Sequence, residues 1–264
     1  MNDVALITGA SSGIGAEFAR IHASKKRDLV LVARRESRLN DLKEELIQKN
    51  NIEVKVIIKD LTERNAAQDI YDELKKEKIK ITYLINNAGF GGQGYFHERT
   101  EDLKMIQLNI LALTHLTRLF LPELLDEKRG GILNVSSIAS LMAGPLQAVY
   151  YASKSYVRSF SNALAIELEE TNVRVTCLLP GMTETEFAER SEMDKTKVFD
   201  HCVSAHQVAK IGYSAMEKGK LEVFAGLPLS QKILFKCLPF IPKKVLLRQV
   251  KRLQKVSKKS QTTK

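Results

Sequence analysis

Cysteine is scarce in this chain of 264 residues, and Cys177, Cys202 and Cys237 are odd in number and far apart. That argues against a disulfide framework or a cysteine metal knuckle and suits a reducing compartment. None of the five histidines, His22, His97, His115, His201 and His206, has a partner at a metal-binding or catalytic spacing, so all are read as structural. A basic and apolar leader is also missing: Met1-Asn2-Asp3 passes directly into Val4-Ala5-Leu6-Ile7-Thr8, which predicts no signal peptide or N-terminal anchor and a cytoplasmic location. Acidic residues are absent from Val223 to Lys264, where eleven Lys and Arg stand. The formal charge of +10 therefore belongs to the tail, because Met1 to Glu222 carries thirty basic and thirty-one acidic residues. A neutral body without a groove-reading motif argues against nucleic acid as a partner.

Hydrophobic residues at 44% and charged residues at 27% are ordinary for a soluble globular protein. Apolar strand-like runs at Val4–Thr8, Leu29–Ala33, Val54–Lys59, Tyr83–Asn86, Ile132–Ser136, Arg174–Leu179 and Glu222–Ala225 alternate with segments of helical length. Leu39, Leu42, Leu46 and Ile47 form one apolar stripe, and Leu103, Ile106, Ile110, Leu113 and Leu116 form another. The alternation predicts an α/β fold, a single doubly wound parallel sheet of Rossmann type covering residues 1–227, with a basic amphipathic extension over 228–264.

Tyr150 and Lys154 are four residues apart, so on a helix both emerge from one face. An ammonium beside a phenol favours the phenolate, and the expectation is a Tyr150 pKa lowered enough for acid–base work near neutral pH. The first strand runs into Thr8-Gly9-Ala10-Ser11-Ser12-Gly13-Ile14-Gly15 ahead of a helix-like segment. Glycines there let the backbone approach a pyrophosphate, and the helix N-terminus offers free N–H groups. The second strand closes in Arg34-Arg35, without the acid that would hold a ribose 2′-hydroxyl. Two guanidinium groups instead suit a 2′-phosphate, and hence NADP(H).

These stretches, with Asp60-Leu61, Asn86-Asn87-Ala88-Gly89, Asn109, Ser137 and Pro180-Gly181, occur in one order and spacing from Val4 to about Gly226. In them the chain resembles the short-chain dehydrogenase/reductase family. The resemblance implies a proton-transferring Tyr150, a Lys154 that lowers its pKa and holds the nicotinamide ribose, and a Ser137 that bonds the substrate carbonyl oxygen. Ser136 and Tyr151 are the neighbouring alternatives. Asn109 would anchor a water linking Lys154 to solvent; read without the resemblance it is a surface residue. Implied cofactor contacts are Gly9, Ser11, Ser12, Gly13, Ile14, Gly15, Arg34, Arg35, Asp60, Leu61, Asn87, Ala88, Gly89, Tyr150, Lys154, Pro180, Gly181, Thr183 and Thr185. Asp60 would meet the adenine amino group, and it also reads as a cap before Thr62. Thr183 stands where Val or Ile is commoner in the family, so its contact is expected through the backbone.

The segment from Glu184 to Ser204, with Phe187, Met193, Val198 and Phe199, is the expected substrate lid. Phe90, Gly91, Gly92, Gly94, Leu141, Met142 and Ala143 are candidates for an apolar pocket wall. In the tail, Leu234, Leu238, Ile241, Val245, Leu246, Val250, Leu253 and Val256 recur among Lys and Arg, and Pro239 and Pro242 divide it into two pieces too short to span a bilayer. Such a helix can lie on an anionic membrane surface, or fold over the substrate cleft or a neighbouring subunit. The function expected is NADP(H)-dependent interconversion of a carbonyl and an alcohol on a hydrophobic, acyl-chain or steroid-like small molecule, by a homodimer or homotetramer. The alternative is a cofactor-binding regulator or membrane-associated scaffold with little turnover.

Overall fold

The computed structural model describes residues 3–187, 202–228, 231, 235 and 241–254. Strands with apolar side chains on both faces need cover on both sides. In β1 (Val4–Thr8) Ala5 and Ile7 pack on one side with Phe18 and Leu39, and Leu6 packs on the other with Ile70 and Phe120. The same alternation runs through β2 (Asp28–Ala33), where Leu29 and Leu31 face the first layer and Val30 and Val32 the second. The remaining main strands are β3 (Val54–Ile58), β4 (Tyr83–Asn86), β5 (Gly130–Val135), β6 (Val173–Pro180) and β9 (Glu222–Ala225). They form one parallel sheet in the order β3-β2-β1-β4-β5-β6-β9. Helices α1 (Gly13–Ser24), α2 (Glu36–Asn50) and α7 (Ala205–Glu217) cover one face. Helices α3 (Ala66–Lys76), α5 (Leu113–Asp126) and α6 (Ala148–Glu167) cover the other. The chain leaves β1 for β2 on one side and later returns to β4 on the other, so a crevice opens beyond the carboxyl ends of β1 and β4.

Two expected stripes are corrected. Ile47 is exposed while Leu39, Leu42 and Leu46 are buried, because α2 turns Ile47 to the solvent side. Leu103, in α4 (Asp102–Ile106), is 80% exposed. Between α4 and α5 the chain makes a π-helical turn over Gln107–Ala112, which lets an extra residue into the turn. The buried positions are Met105, Asn109, Ala112, Leu113 and Leu116, one stripe at three- and four-residue steps, and Leu103, Ile106 and Ile110 lie to its side.

Beyond the expected strands, β7 (Thr183–Glu184) pairs in parallel with β8 (Val203–Ser204), bringing together the ends of the expected lid segment. Met193, Val198, Phe199 and His201 lie outside the described residues, as do Leu234, Leu238, Pro239 and the tail beyond Gln254. The longest described element of the tail is α8 (Lys243–Gln254). It buries Val250 and Gln254 and leaves Lys243, Lys244, Arg248 and Arg252 exposed.

Candidate functional site

A cavity of about 1040 Å³ occupies the crevice, running from Gly9 and Arg35 to Tyr150 and Gln254. At its floor Gly9 and Gly13 take positive φ values of 66° and 54°. A Cβ on Gly15 would lie 2.3 Å from the Gly9 carbonyl oxygen and 2.5 Å from Asn87 Nδ2. Asn87 Nδ2 donates to the Thr8 carbonyl at 3.0 Å, while the backbone N–H groups of Asn87 and Ala88 both donate to Thr8 Oγ1 at 3.0 Å. The loops after β1 and β4 are thereby tied together, with the glycine turn open to the cavity at the start of α1. A shallow, glycine-floored turn at a helix N-terminus fits a dinucleotide pyrophosphate.

The basic end is also built. Arg35 donates to Ser12 Oγ at 2.7 Å and to Ser11 Oγ at 3.1 Å, and its Nη1 lies 2.6 Å from Glu186 Oε2. The guanidinium holds the Glu186 carboxyl below its ordinary pKa, so an anion already sits on Arg35. Arg34 Nη1 is 3.4 Å from Asp60 Oδ2. Burial pushes the Asp60 carboxyl up, but bonds from Thr62 N and Oγ1, each 2.9 Å, outweigh it and hold the carboxyl down. Asp60 thus has the expected capping geometry while still lining the cavity.

At the other end Tyr150 and Lys154 project from α6, 7% and 5% exposed. Lys154 Nζ donates to the Val135 carbonyl at 2.9 Å and lies 6.0 Å from the centre of the Tyr150 ring. The expected lowering of the Tyr150 pKa is not what this geometry gives. Burial pushes the phenol up to about 12, only partly offset by a hydrogen bond with Ser137. Burial also brings Lys154 down to about 8, because the low-dielectric interior disfavours the ammonium. Desolvation is thus the largest cause of both shifts. Ser137, after β5, accepts from Ala139 N at 3.1 Å; Ser136 lines the cavity with it, but its hydroxyl is spent on the Lys154 carbonyl at 2.7 Å.

Asn109 is no surface residue: it is 1% exposed. Its Oδ1 accepts from Phe90 N at 3.1 Å, and its Nδ2 donates to the Phe90 carbonyl at 3.0 Å and to Ser153 Oγ at 3.1 Å. Gly89 passes so close that a Cβ there would be 3.3 Å from Lys154 Nζ. Asn109 and Gly15 sit behind the cavity wall, while Ser11, Ser12, Ile14, Leu61, Asn87, Ala88, Pro180, Gly181, Thr183 and Thr185 line it. Of the expected apolar wall, Phe90 and Met142 line the cavity, and Gly91, Gly92, Gly94, Leu141 and Ala143 do not. Gly92 instead packs beneath Arg99, which is held by Asp102 at 2.7 Å.

The sequence pattern did not single out Glu186, Gln147 or Gln254. Helix α8 closes the substrate end, where Val250, Leu253 and Gln254 join the lining and Gln254 Nε2 donates to the Tyr151 hydroxyl at 2.7 Å. Of the alternatives for the tail, the described helix takes the cleft. A signal existed in the sequence: Leu246, Val250 and Gln254 follow at four-residue steps, placing one amide on an otherwise apolar stripe.

Known proteins show the same family and fold. The family model described as short chain dehydrogenase matches residues 3–196. Sulfoacetaldehyde reductase 2 of Chromohalobacter salexigens is 38% identical over 194 residues, covering 71% of this chain and 75% of that protein. The very-long-chain 3-oxoacyl-CoA reductase of Anas platyrhynchos is 32% identical over 241 residues, 86% of this chain and 76% of that protein. A short-chain dehydrogenase from Sphingobium yanoikuyae in complex with NADPH superposes with a TM-score of 0.80 at 27% identity, covering 99% of this chain and 98% of that one.

Proposed function

The chain belongs to the short-chain dehydrogenase/reductase family of oxidoreductases, and we propose that it uses NADP(H) to interconvert a carbonyl and an alcohol on an apolar substrate. The observation that carries this reading is the meeting of Ser137, Tyr150 and Lys154 in a cavity whose far end holds Arg34 and Arg35. A bound nicotinamide supplies or takes up the hydride. Tyr150, kept protonated well above neutral pH by burial, donates a proton to the carbonyl oxygen. Ser137, with one lone pair already used by Ala139 N, turns its hydroxyl proton to the same oxygen and orients it. Lys154 holds positive charge behind the phenol, and Asn109 positions the Phe90 backbone beside them.

NADP(H) over NAD(H) is supported by the two guanidiniums after β2 and by Ser11 and Ser12, which are already bonded to one of them. A lipophilic substrate is supported by Phe90, Met142, Phe187, Val250 and Leu253 in the lining, and by similarity to a reductase of very-long-chain 3-oxoacyl-CoA. Self-association would use the outer face of α6, where Tyr156 and Ile166 are exposed. The cationic outer side of α8 suits peripheral contact of a cytoplasmic enzyme with an anionic membrane. The test is consumption of NADPH with ketones graded from short and polar to long and apolar. Turnover rising with apolar length is expected; NADPH binding with no turnover across the series would move the reading to a regulator.

A further inference from the structure

The polar cluster under α8 leaves hydrogen-bonding capacity unused. Gln93 Nε2 donates to the backbone carbonyl of Gln254, and a carbonyl oxygen can only accept. That fixes the Gln93 amide, so its Oε1 accepts from Gln147 Nε2 at 2.9 Å. Gln147 is thereby oriented too, and its Oε1 is a buried acceptor without a partner. Gln254 spends its Nε2 on the Tyr151 hydroxyl, and its Oε1 is also buried and unpartnered. Gln147 is 1% exposed, Gln254 is 4% exposed, and both line the cavity.

Buried polar atoms are nearly always paired, and two unpaired amide oxygens in one cluster need a reason. The amide nitrogens of Gln93, Gln147 and Gln254 are bonded elsewhere, and apolar Phe90, Leu108, Met142 and Leu253 line the same cavity. The cluster lies beside the reacting group, with the Tyr150 and Tyr151 ring centres 6.0 Å apart. We propose that Gln147 Oε1 and Gln254 Oε1 recognise a hydrogen-bond donor, a hydroxyl or an amide N–H, that the substrate carries near its reducible carbonyl. This rests on the carbonyl-reduction reading and narrows it: the substrate is a carbonyl compound with an apolar frame and a neighbouring donor. A site built to bond such a group rejects the analogue that lacks it, because its own polar atoms are then left unpaired.

The experiment compares matched ketones on the full-length protein: benzoin against deoxybenzoin, which lacks only the hydroxyl, and acetoacetanilide against phenyl acetoacetate, in which an ester oxygen replaces the N–H. Both kcat/KM with NADPH and equilibrium binding by calorimetry are measured. The donor-bearing member of at least one pair is expected to be favoured about tenfold or more. The pair that shows the preference tells a hydroxyl from an amide. Gln147→Met and Gln254→Met should each draw that ratio towards one. If Gln147→Met fails to fold, the wild-type ratios and Gln254→Met still decide. Ratios near one in both pairs by both readouts overturn the proposal, as does a preference that survives both substitutions. Turnover of all four ketones without preference leaves carbonyl reduction standing and removes donor recognition. A binding preference without turnover does the reverse.

Discussion

Replacing Arg35 by alanine separates the two cofactors. In the structure its guanidinium reaches Ser11, Ser12 and Glu186 within 3.2 Å, and its side chain is 43% exposed. A charge-assisted hydrogen bond contributes about 1.5–3 kcal/mol, and solvent screening at a half-exposed position selects the lower end. A loss of about 1.5–2 kcal/mol corresponds to roughly 10- to 30-fold weaker NADPH binding. NADH has no 2′-phosphate to lose, so its affinity should change by less than about threefold. Glu186 already sits on Arg35 at 2.6 Å and competes for it, so Glu186→Gln should tighten NADPH severalfold. Arg34→Ala should act in the same direction as Arg35→Ala, because Arg34 too lines this end of the cavity, 3.4 Å from Asp60. The assay is fluorescence titration of both cofactors against each variant. Equal losses for NADPH and NADH would refute the assignment and leave the arginines as parts of the loop scaffold.

Other perturbations test other parts. Lys154 is brought down to about 8 by burial, so the ammonium is lost as pH rises through that value, and carbonyl reduction should fall above about pH 8; a flat rate to pH 10 would contradict this. His22, fully buried against Tyr213 at 2.7 Å, has its pKa pushed by burial from 6.5 down to about 3. Between those values the unfolded chain binds the extra proton, so stability is complete above about pH 6.5 and declines as pH falls towards 3. The loss should reach about 2 kcal/mol by pH 5 in urea unfolding, and His22→Gln should flatten that slope. Gly15→Ala would place its Cβ 2.3 Å from the Gly9 carbonyl oxygen, and should cost about 1–3 kcal/mol of stability together with cofactor affinity; unchanged melting and binding would show that the turn relaxes freely.

What was legible in the sequence followed from short-range pattern. The seven main strands fall where apolar runs stand, within two residues at each end, because a doubly covered strand must be apolar throughout. The glycine turn, the two arginines and the Tyr150–Lys154 step could be read because their chemistry depends on spacing along one turn or one helix. Asn109 was not legible as an interior position because its side chain is polar, although it falls on the buried stripe of Met105, Ala112 and Leu116. The Tyr150 pKa is likewise not set by spacing, which reveals the nearby cation but not the burial that dominates. Gln93, Gln147, Tyr151 and Gln254 come from three distant stretches of chain, and only the folded tail joins them.

The most direct test of the account is NADPH-dependent ketone reduction by Tyr150→Phe, measured beside its NADPH affinity. The substitution removes one hydroxyl and keeps the ring that packs against Phe187 with centroids 5.5 Å apart. If Tyr150 is the proton donor, turnover should fall by about a hundredfold or more while NADPH binding stays within about threefold. Turnover close to that of the parent protein, with the cofactor still bound, would contradict it.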